Sequence, residues 1–463
     1  MINLAEGTEV YLFSSVASYG LHRLMMKQAM KGGNKIVGVY AGEQSSDYLK
    51  IKADATAYGV RVLFFEEEVQ NTRYPRFWEY LPKPYILNFL RVLSLFACRN
   101  PVRSLSLRKM FAQRKHAARE LLVTEGASVL VCSEDGVSGD LATLSAAKEL
   151  GIPIVDVPYG NATEYDFDVA LKQRIEAGQS VVPSGREFWL IKFFAKKWLK
   201  TNTFPNALLL NPEHVLALES LGITLQNPWI VHGGHSDVLC VENDIAFHQY
   251  QREGIQQKKL VKTGTPYCDV LSRARLDSSG VRQDGPTKLL ISWPPSYHDT
   301  FPGINEFETY LDMTREIFNF LRSLPGVALT VSLHPACSNE VADLLSEMGV
   351  NVSGEYILEL MAHHDVFSTY FSSTIRWALA CGIPVVNYDA YQLKIDTYNS
   401  ASGFCNADNF RDYCRILEEL TQNYDVYSKL SKAQAKEAAL WGVLDGNNTA
   451  RVLFEVGRVK QGI

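Results

Sequence analysis

The chain has 463 residues, more than one hydrophobic core normally serves, so we expect two domains. Hydrophobic residues make up 46% and charged residues 21%, as is typical of a soluble globular protein. The formal net charge of -5 argues against nucleic acid as a partner, because proteins that bind it usually carry a basic excess.

The N-terminal segment and the cysteines indicate the compartment. Residues 1–15 lack the basic start and uninterrupted apolar run of a signal peptide. No stretch reaches the roughly 18–20 uncharged apolar residues that a membrane span needs. The eight cysteines are scattered, without a CxxC pair. These features predict a reduced cytoplasmic protein with no metal site and no cofactor.

The first half of the chain alternates short apolar runs with segments of helical spacing. This alternation predicts right-handed βαβ units and a parallel sheet. The signal becomes irregular between about residues 165 and 230. The predicted strands are 8–15, 35–42, 60–67, 127–136 and 152–160, and the predicted helices are 19–33, 45–59 and 139–151.

A second α/β block begins near residue 286. Two doubly wound parallel-sheet domains with an interdomain cleft form the GT-B plan, in which ligands bind beyond the carboxyl ends of strands. The predicted strands are 287–295, 327–335, 363–373 and 383–389, and the predicted helices are 305–326, 338–349, 374–382, 409–440 and a segment from 448. The predicted boundaries are 1–261 for the N-terminal domain, 262–285 for the linker, 286–440 for the C-terminal domain and 441–463 for a helical tail.

Two adjacent carboxylates and a glycine, Glu134, Asp135 and Gly136, follow the core of the predicted strand 127–136. A carboxylate whose pKa is raised by its neighbour suits a general base that takes a proton from a hydroxyl. The alternative is a solvated turn or a helix N-cap, where acidic residues are also favoured.

Two further groups stand at predicted strand ends in the second block. His334 and Pro335 follow one strand, and we expect Pro335 in the first turn of the next helix with His334 at its phosphate-binding N-terminus. Ser372, Ser373 and Thr374 stand at the start of a predicted helix, where hydroxyls and free backbone N–H groups bind phosphate. The alternatives are a simple strand–helix turn for His334 and ordinary N-capping for the hydroxyls.

The segment 262–266, with Asp269 close behind, falls at the predicted domain junction. Its glycine permits a tight backbone, and we interpret the segment as a hinge. The chain has no GxGxxG after the first strand and no GxxxxGK[ST] motif, which argues against a dinucleotide oxidoreductase and a P-loop enzyme.

In order, these motifs resemble those of bacterial sialyltransferases and polysialyltransferases, which use CMP-sialic acid. Glu134-Asp135-Gly136 resembles the D/E-D/E-G motif of that family, His334-Pro335 its HP motif, and Ser372-Ser373 its paired serines. The β-Kdo transferases of capsule and lipopolysaccharide assembly also use CMP-activated sugars and carry an HP-type motif, so they compete for the identity of the donor.

The resemblance implies a CMP-sugar donor and a glycan or glycolipid acceptor, bound by the C-terminal and N-terminal domains respectively. Glu134 would then be the general base, with Asp135 beside it. The catalytic set would include His334, which assists the departing CMP. The donor-binding set would be Pro335, Glu355, Ser372, Ser373 and Thr374, with Glu355 contacting the ribose or cytosine.

A second resemblance involves segments 128–160 and 261–271, which look like parts of non-hydrolysing UDP-GlcNAc 2-epimerases. In those enzymes the acid after this strand acts on the sugar itself. The epimerase resemblance accounts less well for 372–377, where a glycine-rich SGG turn is expected, so we favour the transferase. The segment from His232 to Asp237 contains two histidines and two glycines, and we interpret it as an active-site loop rather than a metal site.

Two basic segments suggest a surface that faces an anionic membrane. The range 83–119 contains nine Lys or Arg residues and no Asp or Glu, with apolar residues between them. The range 186–200 places aromatic and basic residues at helical spacing, the pattern of a helix lying in the inner-membrane interface. The alternatives are a helix packed into the domain with a solvated lysine face, and a surface for an anionic polysaccharide.

Overall fold

The computed structural model describes residues 7–43, 45–73, 85–160, 163–276, 285–301, 303–370, 372–394 and 396–462. Residues 83–84 of the first basic segment and 277–284 of the predicted linker therefore lie outside the described residues. None of the helices in the described part of the chain combines the length and the apolar character needed to cross a bilayer.

The chain divides into two compact units. The first consists of Met1–Val241, Ala246–Thr263 and Thr449–Ile463, and the second consists of Glu242–Ile245 and Gly264–Asn448. The sequence analysis treated 441–463 as a separate tail, whereas most of this segment belongs to the first unit. The chain passes between the two units at several points, and the one between Thr263 and Gly264 lies within segment 262–266.

The first unit contains a parallel sheet whose seven described strands follow the order β3-β2-β1-β4-β5-β6-β7. The elements up to the junction are β1 (Thr8–Phe13), α1 (Val16–Lys31), β2 (Ile36–Tyr40), α2 (Ser45–Ala57), β3 (Arg61–Phe64), α3 (Phe65–Asn71), α4 (Tyr85–Phe96), α5 (Pro101–Thr124), β4 (Ala127–Cys132), α6 (Leu141–Leu150), β5 (Ile154–Asp156), α7 (Glu164–Glu176), α8 (Gly185–Phe194), α9 (Pro212–Ser220), β6 (Val238–Val241), α10 (Asp244–Arg252) and β7 (Leu260–Lys262).

The second unit contains a five-stranded parallel sheet, again within the described residues, in the order β12-β11-β10-β8-β9. Strand β9 lies on one side of β8, and the next strand in the chain, β10, lies on the other side. The β10–β8 pair is therefore the topological switch point of this sheet. The elements are α11 (Pro266–Leu276), β8 (Thr287–Trp293), α12 (Tyr310–Ser323), β9 (Val327–Leu333), α13 (Asn339–Glu347), α14 (Ile357–Met361), β10 (Val366–Thr369), α15 (Ile375–Ala380), β11 (Val385–Tyr388), β12 (Phe404–Ala407), α16 (Phe410–Gln422) and α17 (Tyr424–Trp441). The last helix, α18 (Asn448–Lys460), belongs to the first unit from Thr449 onward.

Local signals in the sequence account for the well-predicted elements. Helix α1 begins at a capping box, in which the Ser15 hydroxyl accepts from the Ser18 N–H and the Ser18 hydroxyl from the Ser15 N–H. Helix α6 ends at Gly151, whose φ of 70° is the left-handed conformation that glycine adopts without penalty. The two predicted doubly wound sheets are confirmed, and β6, β7 and β12 are strands that the sequence analysis did not identify.

The predicted amphipathic helix over 186–200 is wrong in its second half. The α-helix ends at Phe194, and the chain then turns inward so that Trp198 is buried. Lys200, the last residue of the segment, is also buried and forms an ion pair of 2.7 Å with Asp168. Residues 198–200 therefore pack toward the core of the first unit.

Candidate functional site

A buried acid–histidine pair lies at the carboxyl edge of the first sheet. Asp156 is the last residue of β5, and His232 Nδ1 lies 2.7 Å from its Oδ2. Burial alone would lower the pKa of His232, but Asp156 outweighs burial by its charge and hydrogen bond, and the pKa rises to about 9. At neutral pH the pair is therefore an imidazolium hydrogen-bonded to a carboxylate.

Glu134 lies beside this pair and remains accessible to solvent. It follows β4, whose last residue pairs in register with Asp156 on β5. Burial raises the pKa of the Glu134 carboxyl, and the charge of His232 and a hydrogen bond from Tyr159 oppose that rise. A half-buried carboxylate with a raised pKa can accept a proton from a ligand hydroxyl.

Asp135 has a different structural position from its neighbour. It is buried, and its Oδ1 and Oδ2 accept hydrogen bonds from the backbone N–H groups of Gly234 (3.1 Å) and Ser236 (2.8 Å). Both oxygens are thus used to hold the loop that carries His232. The sequence analysis placed Glu134 and Asp135 together as catalytic candidates, but the geometry leaves only Glu134 available to a ligand.

The glycines of this loop are needed for close backbone approach. A Cβ on Gly136 would lie 1.9 Å from the Val231 carbonyl oxygen, and one on Gly234 would lie 1.9 Å from the Asp135 carbonyl oxygen. Real Cβ atoms do not come this close to backbone oxygens. The glycines therefore allow the turn after β4 and the loop around His232 to pack directly on each other.

The remaining polar residues of the predicted loop do not join the cluster. His235 Nε2 lies 2.8 Å from the Thr224 carbonyl oxygen, and Asp237 accepts from the Ile154 N–H at 2.9 Å. Donor atoms of Asp135, Asp156 and His232 lie within 4.8 Å of one another, a spacing that suits a metal. Both carboxylate oxygens of Asp135 already accept hydrogen bonds from backbone amides, and His232 Nδ1 is hydrogen-bonded to Asp156.

In the second unit, His334 directly follows β9 and is exposed. Its Nδ1 accepts a hydrogen bond of 3.1 Å from the Ala336 N–H, which fixes the proton of the neutral ring on Nε2. Partial burial lowers the pKa of His334, so the neutral form dominates at pH 7. This ring is therefore a neutral hydrogen-bond donor through Nε2.

The predicted position of His334 at a helix N-terminus is wrong. Pro335 lies in a turn, and α13 begins at Asn339 after the N-cap residue Ser338. The predicted ribose or base contact, Glu355, is exposed in the segment before α14, just beyond the bridge that joins Val352 to β9.

The hydroxyl-rich turn follows β10. Thr374 donates from its hydroxyl to Ser372 Oγ at 2.8 Å, and its N–H lies 3.2 Å from the same oxygen. Thr374 forms no side-chain cap to α15, so ordinary N-capping does not explain it. Arg376 donates to the Ser373 carbonyl at 3.1 Å and forms an ion pair of 2.7 Å with Glu242. The turn is therefore held in place by its own helix.

The sequence analysis missed an aromatic group at the end of β8, beside the switch point of the second sheet. Tyr391 Oη lies 3.0 Å from His298 Nδ1, and the rings of Tyr297 and Tyr391 meet edge to face with centroids 5.8 Å apart. Tyr297 is 39% exposed. Exposed aromatic rings at the carboxyl edge of a parallel sheet can stack on a nucleotide base. The signal was the YH pair after the predicted strand 287–295.

No family model matches the sequence, and no curated protein matches it either. Solved structures do match over nearly the whole chain. A UDP-GlcNAc 2-epimerase from Neisseria meningitidis bound to UDP-GlcNAc has a TM-score of 0.53 and 11% identity, covering 97% of this chain and 99% of that one.

Two further solved structures give similar values. The calicheamicin glycosyltransferase CalG4 has a TM-score of 0.52 and 12% identity, covering 99% of this chain and 98% of that one. The wall teichoic acid polymerase TagF has a TM-score of 0.51 and 11% identity, covering 99% and 90%. At these identities the similarity shows the fold alone. With the two parallel sheets, it confirms the predicted GT-B fold.

Proposed function

We propose that this chain is a glycosyltransferase that moves a sialic-acid-like or Kdo-like sugar from a CMP-activated donor to a surface glycan or lipid-linked acceptor. The observation that carries the proposal is Glu134, a half-buried carboxylate of raised pKa beside the buried Asp156–His232 ion pair. Because a lipid-linked acceptor would lie at the membrane, we also propose that the chain binds peripherally to an anionic inner-membrane surface.

In the proposed reaction, Glu134 accepts the proton of the acceptor hydroxyl. The acceptor oxygen forms a bond to the anomeric carbon of the donor sugar, and the bond from that carbon to the phosphate oxygen breaks. CMP leaves with the bonding electron pair. The positive charge of His232 favours the ionised form of Glu134 before the transfer, and Asp156 holds the imidazolium in place.

The second unit supports the donor assignment. His334 offers its Nε2–H after β9, and Ser372 and Ser373 offer hydroxyls after β10, at the carboxyl edge of one sheet in which β8 separates these two strands. These are hydrogen-bond donors rather than cations, and Arg376 is already paired with Glu242. Such a set suits a leaving group with one phosphate, as in CMP, better than a diphosphate, whose greater charge usually requires basic residues or a metal.

The direct test of the donor is a calorimetric titration of the purified chain with CMP, UDP and GDP. We expect CMP to bind with at least about tenfold preference, since each 1.4 kcal/mol of difference is tenfold. His334→Ala should weaken CMP binding and transfer together. Selective binding of UDP would overturn the donor assignment.

The direct test of the base is Glu134→Gln. We expect CMP-sugar transfer to fall by about 10²–10⁴-fold, the usual contribution of a general base, with CMP affinity nearly unchanged. Glu67→Gln, the same change at an exposed position on α3, is the matched control and should be neutral. Normal transfer by Glu134→Gln would remove the proposed role of Glu134.

A UDP-GlcNAc 2-epimerase-like enzyme is the second candidate. The structural similarity to the Neisseria meningitidis enzyme bound to UDP-GlcNAc favours it, because an acid–histidine cluster can also act on the sugar of the nucleotide itself. An epimerase or hydrolase of this kind needs no acceptor. Turnover of UDP-GlcNAc alone would therefore identify it, and no turnover would leave the transferase proposal in place.

A further inference from the structure

Helix α4 has its apolar and polar faces inverted relative to a normal surface helix. Its exposed side is formed by large apolar side chains, of which Ile86 is 79% exposed. A helix on the surface of a globular unit normally buries such residues and exposes polar ones. The exposed apolar residues of the helix are Ile86, Leu87, Phe89, Leu90, Leu93 and Phe96.

The inward side of α4 is partly polar, and its polar groups are paired. Arg91 donates to the Asn88 side chain at 2.9 Å and forms an ion pair of 3.2 Å with the buried Glu219 on α9. Buried Ser94 donates from its hydroxyl to the Arg91 carbonyl at 2.6 Å. These bonds, with buried Val92, fix which side of the helix faces the unit. The apolar side is thus held outward by specific contacts.

Helix α8 adds two exposed aromatic rings next to α4. Arg91 Nη2 donates to the Phe194 carbonyl at 3.1 Å at the end of α8, and the two helices share one hydrophobic cluster. On α8, Trp189 is 64% and Phe193 is 78% exposed, and they are one helical turn apart on the same face. We call the exposed apolar residues of α4 together with Trp189 and Phe193 the α4–α8 surface.

Exposed basic residues flank this surface. Arg99 and Arg103 follow α4 at the start of α5, and Lys192 and Lys196 lie on and after α8. Lys192 Nζ lies 5.0 Å from the centre of the Trp189 ring, an arrangement of cation and aromatic ring suited to an interface between apolar and charged surroundings. Glu187, in the first turn of α8, accepts from the Arg99 N–H and is half-buried.

We propose that the α4–α8 surface inserts into the interface of an anionic lipid bilayer. Apolar and aromatic side chains flanked by Lys and Arg match both layers of that interface, the acyl chains below and the negative headgroups above. A second copy of the chain is a poorer occupant, because a two-fold contact would bring the same basic residues toward each other. The inference does not depend on the donor sugar.

The test uses the purified full chain and vesicles of phosphatidylcholine with or without phosphatidylglycerol, separated by sedimentation. We expect at least about tenfold stronger binding to the anionic vesicles, because several basic residues contribute. Phe89→Ser/Leu93→Ser should lower that binding by about tenfold or more through loss of inserted apolar surface. Phe454→Ser, at a residue of α18 that is 69% exposed, is the matched control and should bind normally.

Each outcome decides the proposal. Lys192→Glu/Lys196→Glu should remove the preference for anionic vesicles, and an unchanged preference would overturn the role of the basic residues. Normal binding by Phe89→Ser/Leu93→Ser, or no binding by the wild type, would overturn the membrane site. A dimer that these serine substitutions dissociate, without vesicle binding, would assign the surface to a second copy.

Two measurements on the same samples keep the result unambiguous. Thermal unfolding should be nearly unchanged in the serine variants, since the replaced side chains are exposed, and Trp189→Ser/Phe193→Ser provides a second test on α8. A CMP titration reports separately on the proposed function. Loss of vesicle binding with CMP binding intact would identify a defect of the surface alone.

Discussion

The Asp156–His232 ion pair shows how a single buried contact sets the charge of its surroundings. Both residues are buried, and the pKa of His232 is raised because the carboxylates beside it outweigh the cost of burial. The positive charge of the His232 imidazolium is thus maintained at the sheet edge at neutral pH. Glu134 experiences that charge directly, which is why the pair matters for any chemistry at this site.

The pair predicts a pH dependence of stability. The folded pKa of His232, about 9, exceeds the ordinary value of 6.5. Its contribution is therefore present below about pH 6.5 and is lost as the pH rises through about 9. We expect the free energy of unfolding to fall over this window by on the order of 3 kcal/mol, because each pKa unit corresponds to about 1.4 kcal/mol. Denaturant unfolding at several pH values measures it.

His232→Gln should remove most of this decrease, whereas His363→Gln, at an exposed histidine, should leave it unchanged. An identical pH profile for the wild type and His232→Gln would contradict the assigned ion pair.

We expect the loss of the hydrogen bond from Tyr159 to Glu134 to shift the pH dependence of transfer. Its hydroxyl donates to Glu134 and lowers the pKa of that carboxyl, opposing the effect of burial. Tyr159→Phe removes the bond, so the pKa of Glu134 should rise and the acidic limb of the kcat/KM profile should move to higher pH. A rate loss without such a shift would point to a structural role for Tyr159 instead.

At the scale of elements, the loop that carries His232 depends on two tight backbone contacts. Gly136→Ala and Gly234→Ala each place a Cβ within 1.9 Å of a carbonyl oxygen, so the loop or the turn must move. We expect each substitution to lower the free energy of unfolding by about 2–4 kcal/mol and to abolish transfer. Chemical denaturation measures the first effect.

Gly354→Ala is the matched control, because nothing lies within 4 Å of a Cβ there. It should change the free energy of unfolding by less than about 0.5 kcal/mol. Equal stability of Gly136→Ala and Gly354→Ala would mean that the close packing of the loop is not needed.

Helix α8 shows where periodicity misleads. The spacing of residues 186–200 fits one long amphipathic helix, but Trp198 donates from its indole to Glu219 at 2.8 Å and Lys200 pairs with Asp168. To reach these partners, the chain leaves the helical path after Phe194 and enters the core of the first unit. Satisfying buried polar groups outweighs the hydrogen bonds of one further helical turn.

At the scale of the whole molecule, the end of the chain completes the first unit. Helix α18 buries Val452 and Val456 fully, Arg451 donates to the Thr263 carbonyl at 2.7 Å, and Lys460 lies 3.8 Å from Glu9 on β1. The first unit is therefore discontinuous in sequence. Its stability depends on residues that follow the entire second unit.

Val452→Ala/Val456→Ala should destabilise the first unit by about 2–5 kcal/mol, because each change leaves a cavity in a buried site. Phe454→Ala, between them on the exposed side, should cost less than about 0.5 kcal/mol. Thermal unfolding of the full chain distinguishes the two variants. A similar melting temperature for both would show that α18 does not pack as part of the unit.

The sequence by itself determined the two parallel sheets and which polar residues stand at the carboxyl ends of their strands. Strands buried on both faces are continuous apolar runs, and parallel strands bring their carboxyl ends to one edge, so Glu134, His334 and Ser372 were identifiable without tertiary information. The same strand-end argument would have identified Asp156, the last residue of β5, had it been applied there.

Only the tertiary structure decided which of these groups can act. Asp135 is engaged by backbone amides, His232 rather than His235 reaches Asp156, and α4 turns its apolar side outward. Each outcome depends on contacts between residues far apart in the chain. Neither local propensity nor spacing encodes such contacts, because burial and hydrogen-bond partners are set by how the elements pack.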